Sequence, residues 1–223
     1  MALPTPCPAT GAERMNWSPW IYSRYIAHRC GGALAPENTL AGLHLAARLG
    51  FRAVEFDVML SADGMPLLIH DETLERTTDG SGRVPETPLV RLGQLDAGHW
   101  HHRAFAGERL PTLQQALAAC RELGLAANIE IKPAAGLEME TGTVVARLIE
   151  RSARDYASVP LLFSSFSELA LASARVAAPA LPRALLVENV PADWQPRLQA
   201  LECRALHCAA KHMQPEQAAE IGD

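Results

Sequence analysis

Apolar runs of about six residues recur along the chain, each followed by a stretch with helical periodicity, and few folds tolerate that pattern. Strands alternating with helices build parallel sheets, because each helix carries the chain back across the sheet before the next strand begins. Seven runs qualify: "RYIAHR" (24–29), "AVEFDVML" (53–60), "PLLIHD" (66–71), "AANIEIK" (126–132), then "PLLFSS", "RALLVEN" and "RALHCAA" from 160, 183 and 204. A helix is expected from Pro36 to about Leu49, with Pro36 in its first turn and Gly50 as its C-terminal cap. A second covers "TLQQALAACRELG", with Thr112 as N-cap.

Two places break the rhythm. Strands two and three are separated only by "SADGM", too short for a helical crossover, and Asp63-Gly64 is a hairpin-type turn. Centred there, the hairpin sets Asp57 opposite His70. Residues 72–109 are rich in turn formers with no clean period, which predicts a small inserted subdomain.

A chain of 223 residues suffices for one domain with a substantial core and lies within reach of an α/β barrel. Residues 1–14 are Pro-, Ala- and Thr-rich without periodicity and are expected to be disordered, with Met15 as an alternative start. Residues 15–223 then form the single domain. A net charge of −5 with scattered Lys and Arg argues against nucleic-acid partners. No run approaches the ~18 apolar residues of a membrane span, and no signal peptide pattern opens the chain. The five irregularly spaced cysteines read as reduced thiols, which fits the cytoplasm.

In "VEFDV" the acids sit at i and i+2, so Glu55 and Asp57 share one strand face while Val54, Phe56 and Val58 take the other. Two such acids on one strand are more often simply solvated. The pattern repeats in "NIEIKP" with Glu130 and Lys132, strand one ends in His28-Arg29, and strand three ends in His70-Asp71. Strand C-termini form the ligand face of α/β folds, so four strands deliver ionisable groups to one rim. Three carboxylates make an all-oxygen site for Mg²⁺ or Ca²⁺, and two histidines suit proton transfer. Arg29 and Lys132 supply charge for an anion, and a phosphate uses every member of the set. "HWHH" (99–102) has no nearby acids, and Cys203 and Cys208 fall on opposite faces of a strand; both are read as structural.

Five pieces in order, "HRCGGALAPENT", "VEFDVMLSADGMPLLIHDETLERTTDGSG", "GHWHHRAFAGERLPTLQQAL", "NIEIKP" and "SSFS", resemble the glycerophosphodiester phosphodiesterases of the cytoplasmic bacterial type. The resemblance implies a TIM-type (β/α) barrel with a small insertion after strand 3. It implies metal ligands at Glu55, Asp57 and Glu130 and acid/base histidines at His28 and His70. Hydrolysis of a glycerophosphodiester to sn-glycerol 3-phosphate and an alcohol follows, with Arg29 and Lys132 on the phosphate and Glu37 ordering the rim. Trp100 and Phe166 are expected to shape the glycerol pocket. Cys30 stands where the family usually has Gly. The family's last strand and helix have no counterpart before Asp223, so either a truncated sequence or a barrel completed from elsewhere, such as by a partner chain, is expected. A phosphoinositide-type phospholipase and a non-catalytic phosphodiester-binding module are the alternative readings.

Overall fold

The computed structural model describes residues 23–213 and 217–218; the segment 1–14 expected to be disordered lies outside them. Among these residues six strands form one sheet: β1 (Ala53–Leu60), β2 (Pro66–Leu68), β3 (Ala126–Ile131), β4 (Leu161–Ser165), β5 (Arg183–Val187) and β6 (Ala205–Cys208). Their order is β2-β1-β3-β4-β5-β6, and all neighbours are parallel except β2, which runs antiparallel to β1. Among the described residues the sheet is not closed.

The period-two reading of β1 explains the layering. Val54, Phe56 and Val58 join Ile129, Ile131 and Phe163 in the main core, under helices α1 (Leu40–Arg48), α3 (Leu113–Leu123), α4 (Glu138–Arg151) and α5 (Glu168–Ala177). Helix α4 approaches α5 so closely that a Cβ at Gly142 would lie 2.2 Å from the Ala170 carbonyl oxygen, so only glycine fits. Helix α6 (Trp194–Leu201) covers Leu185 in a smaller cluster. The opposite sheet face carries Glu55, Asp57, Asn128 and Glu130, and the register sets Asp57 beside Glu130. As expected, Thr112 caps α3, completing a reciprocal capping box with Gln115.

Several expectations need correction. The first strand reduces to one parallel bridge, Ala27 with Val54, because Arg29 and Cys30 take left-handed φ values of 49° and 72° and turn the chain out of the sheet. Helix α1 starts at Leu40 rather than Pro36, since Asn38 at φ 57° cannot be helical and Thr39 is the N-cap, accepting from Gly42 N–H at 3.2 Å. Strand β2 ends at Leu68, and the hairpin register is shifted by one. Ser61 N–H donates to Met65 O at 3.0 Å and leaves a three-residue loop with Gly64 at φ 70°. Asp57 therefore faces Ile69, whose N–H reaches the Asp57 carbonyl at 3.2 Å, and not His70.

The insertion does follow the third strand, but that strand is an antiparallel arm and not a stave of the parallel sheet. The inserted segment contains the short helix α2 (Leu89–Leu92) and has its own core, in which Leu74, Val84, Leu92 and Leu110 pack on Met59, Leu67 and Ile69. It rejoins the sheet where Leu68 N–H donates to Pro111 O at 2.9 Å.

Candidate active site

The polar face of the sheet brings three carboxylates together, Glu55 and Asp57 from the middle of β1 and Glu130 from the C-terminal end of β3. One oxygen from each of Glu55, Asp57 and Glu130 lies within 4.8 Å of the other two, and this is the grouping among the described residues whose ligand atoms converge. Glu55 and Asp57 are 8% and 1% exposed. Burial, then the Asp57 charge, pushes the Glu55 carboxyl up from 4.5 to about 8, and the same two causes push Glu130 up. Like charges this close and this dry cannot all ionise without compensation.

The residues fit a hard divalent cation. Glu55 Oε2 accepts the Arg29 backbone N–H at 2.8 Å, but buried Oε1 has no hydrogen-bond partner among the described residues. An orphaned carboxylate oxygen in an all-oxygen cluster is the donor set that Mg²⁺ or Ca²⁺ takes. Asn38 holds Asp57 in place at both ends: its Nδ2 donates to Asp57 Oδ2 at 2.9 Å, and its Oδ1 accepts the Asp57 N–H at 3.1 Å.

Charged and titratable groups ring this cluster. His28 Nε2 lies 3.8 Å from Glu55 Oε2, and its side chain is 71% exposed. Partial desolvation and the neighbouring Arg29 hold the His28 pKa below its ordinary value, so the ring is neutral near pH 7. Arg29 places Nε 3.7 Å from Asp57 Oδ2 and donates through Nη1 to Glu37 Oε1 at 3.1 Å. Lys132 Nζ lies 3.5 Å from Glu130 Oε1. His70 Nδ1 and Asp71 Oδ1 are 2.6 Å apart, which fixes the ring and leaves its Nε2 unengaged by Asp71.

A cleft of about 340 Å³ opens beside the carboxylates, lined by Glu130, Lys132, Glu138, Ser165 and Phe166. Phe166 lies in this cleft with Glu130 and Lys132. Trp100 does not line it: the indole N–H donates to Ala97 O at 2.9 Å, and the ring packs edge-on against His101, whose Nε2 lies 3.2 Å from Ala33 O. Trp100, 39% exposed, sits outside this cleft where the insertion meets the rim loop. A larger cleft of about 530 Å³ between α1, α3 and the insertion contains none of the expected residues.

Cys30 turns away from this chemistry. Its side chain is fully buried in the main core, its Cβ packed against Gly42, and burial pushes the thiol pKa well up. Its φ of 72° suits glycine, so Cys30→Gly relieves about 1–2 kcal/mol of left-handed strain against a similar loss of buried contact. Turnover is expected to stay within about threefold of wild type, as the thiol faces helices and not the acids. A thousandfold loss in a steady-state assay would place the sulfur in the reaction.

Sequence reasoning missed Asn38 and Arg76. Asn38 precedes the helix cap in "PENT", and its left-handed φ is the signal an Asn before Thr can carry. Arg76 is 39 residues from its partner Glu37, beyond any local pattern.

A family model described as the Glycerophosphoryl diester phosphodiesterase family matches residues 28–221. A glycerophosphodiester phosphodiesterase of Caldanaerobacter subterraneus subsp. tengcongensis is 36% identical over 183 residues, 82% of this chain and 74% of that protein. Glycerophosphodiester phosphodiesterase 1 of Bos taurus is 42% identical over 109 residues, 48% of this chain, and the chain spans only 33% of that protein's length. Among solved structures, an Oleispira antarctica phosphodiesterase in complex with the product sn-glycerol-3-phosphate superposes with a TM-score of 0.84 and 43% identity, covering 88% of this chain and 79% of that one. The fold is α/β of the TIM-barrel type, with the sheet left open within the described residues.

Proposed function

The chain belongs to the glycerophosphoryl diester phosphodiesterase family, and from that membership we propose that it hydrolyses glycerophosphodiesters, such as glycerophosphocholine and glycerophosphoethanolamine, to sn-glycerol 3-phosphate and an alcohol. The observation that carries this reading is the convergence of Glu55, Asp57 and Glu130 beside His28 and Arg29. The product bound to the Oleispira antarctica relative supports the same product here.

Glu55, Asp57 and Glu130 would hold one divalent cation, Mg²⁺ or Ca²⁺. When bound, that cation supplies positive charge opposite the phosphoryl oxygens. Arg29 offers its guanidinium to the phosphate, and Lys132 adds charge from the Glu130 side as negative charge builds on the phosphoryl group. One histidine of the pair His28 and His70 takes the proton from the attacking oxygen, and the other gives a proton to the leaving alkoxide. Phe166 forms an apolar wall of the cleft beside Lys132, suited to the carbon face of glycerol. Glu37 keeps Arg29 in place. No described helix is long and apolar enough to cross a membrane, and the free thiols at Cys30, Cys120, Cys203 and Cys208 support action in the cytoplasm.

The test is release of sn-glycerol 3-phosphate from glycerophosphocholine, followed by a coupled dehydrogenase assay with Mg²⁺, with Ca²⁺ and with chelator. Turnover that needs one of the cations is the expected result. Undiminished turnover in chelator, or none under any condition, would overturn the reading.

A further inference from the structure

We propose that Arg76 is a positioning residue that holds the His70 imidazole and the Arg29 guanidinium in one frame, by clamping the carboxylate that steadies each of them. This rests on the phosphodiesterase reading above. Arg76 lies just after β2, where the insertion begins. Its Nε donates to Asp71 Oδ2 at 2.5 Å and its Nη2 to Asp71 Oδ1 at 3.1 Å. Nη1 and Nη2 also donate to Glu37 Oε2 at 2.9 Å and Oε1 at 2.8 Å. One guanidinium thus grips two carboxylates, each with both oxygens, a geometry that a planar five-donor fork provides and an ammonium does not.

Each of those carboxylates has a second partner in the site. Asp71 Oδ1 is the atom 2.6 Å from His70 Nδ1, and Glu37 Oε1 accepts from Arg29 Nη1 at 3.1 Å. The result is an unbroken series, His70, Asp71, Arg76, Glu37, Arg29, which reaches Asp57 through the 3.7 Å approach of Arg29 Nε. It spans the rim from one histidine to the phosphate-facing cation. Burial pushes Glu37 up, but hydrogen bonds from Arg76 and the Arg29 charge outweigh it and hold the carboxyl below its ordinary value. Asp71 is likewise held low, chiefly by its hydrogen bonds from Arg76. Both carboxylates are therefore ionised where the site needs acceptors.

A purely structural role does not account for this investment of donors. The Arg76 side chain is 44% exposed, and half-exposed ion pairs add little to stability. Nor does the insertion need Arg76 to stay attached, since Leu74, Val84, Leu92 and Leu110 bury against Met59, Leu67 and Ile69 independently of it. Without Arg76, Asp71 is free to turn away from the imidazole, and Glu37 presents an unbalanced negative charge next to the phosphate-binding Arg29. The first change lowers kcat, and the second raises KM.

The experiment compares wild type, Arg76→Gln, Arg76→Lys, His70→Ala and the His70→Ala/Arg76→Gln double variant in glycerophosphocholine hydrolysis, with thermal unfolding as the check on folding. Arg76→Gln is expected to lower kcat by about 10- to 100-fold, a loss of the size that follows removal of a partner orienting a metal-ligating group. In the His70→Ala background the same substitution should leave kcat nearly unchanged while still raising KM. Arg76→Lys, which keeps the charge and loses the two-sided fork, should lose at least about tenfold in kcat at an unchanged melting temperature. If Arg76→Gln fails to fold, the Lys variant carries the test. A kcat within twofold of wild type in the folded variants, or an undiminished loss in the His70→Ala background, overturns the role of Arg76. No release of sn-glycerol 3-phosphate by wild type would instead overturn the function on which it rests.

Discussion

His28→Ala and His70→Ala should each lower kcat/KM for glycerophosphocholine by about 10²- to 10⁴-fold, the usual contribution of a positioned general acid or base. The His28 ring is mostly exposed and, among the described residues, its close side-chain partner is Glu55, so the melting temperature of His28→Ala should stay within about 2 °C of wild type. Rate would be lost without loss of fold. Acid and base act in one reaction, so the double variant should cost less than the product of the single effects. Steady-state kinetics on the three variants checks this. Retention of more than a tenth of wild-type turnover by either single variant would remove that histidine from the proton-transfer pair.

The second large effect concerns Glu55, whose carboxyl is pushed from 4.5 to about 8 in the metal-free protein. Between those values the folded chain keeps a proton that the unfolded chain releases. Stability from this group is therefore complete below about pH 4.5 and is lost as pH rises through about 8, at no more than about 1.4 kcal/mol per pH unit. Glu130 is shifted the same way and adds to the trend. Relative to metal-free Glu55→Gln, metal-free wild type should lose stability between pH 5.5 and 8, a comparison that cancels the opposite trend of the His28 and His207 rings, whose pKa values are held low. A divalent cation displaces the proton, so the rise in melting temperature on adding Mg²⁺ or Ca²⁺ should be larger at pH 8.

Glu55→Gln removes this titration while keeping the side chain's shape. The metal-free variant should be more stable than wild type at pH 8, with a flatter pH profile, yet it should lose the cation-dependent rise and nearly all turnover. Such an exchange of stability for function is expected where like charges are buried to bind a cation. Thermal unfolding at the two pH values, with and without cation, decides the matter. A wild-type melting temperature that does not fall relative to Glu55→Gln between pH 5.5 and 8 without metal, or a full cation response in Glu55→Gln, would contradict it.

Much of the site was legible because it rests on short-range periodicity. The alternation in "VEFDV" put Val54, Phe56 and Val58 in the core and Glu55 and Asp57 on the other face, and the same logic placed Glu130 two residues before Lys132. Thr112 was readable as a cap from its position before an amphipathic run. The hairpin was readable too, but its register was not: a three-residue loop replaced the two-residue turn, and one residue's shift put Ile69 rather than His70 against Asp57. Where Trp100 sits was not readable, because composition alone does not say which way an insertion folds back, and here it folds onto the rim loop through His101 and Ala33.

Cys30 illustrates the division most simply. Beside His28 in the sequence it suggests a thiol and imidazole pair, yet left-handed φ values at Arg29 and Cys30 turn the sulfur into the core and the Arg29 N–H toward Glu55. Local order of side chains along a strand is set by backbone geometry that repeats every two residues, so the sequence by itself determined the layered α/β fold and the three acids. Which distant groups meet at the rim depends on how loops close and where the insertion docks. Only the tertiary structure therefore decided that Asn38 braces Asp57 and that Arg76 joins Asp71 to Glu37, because those contacts lie at separations of 19, 5 and 39 residues.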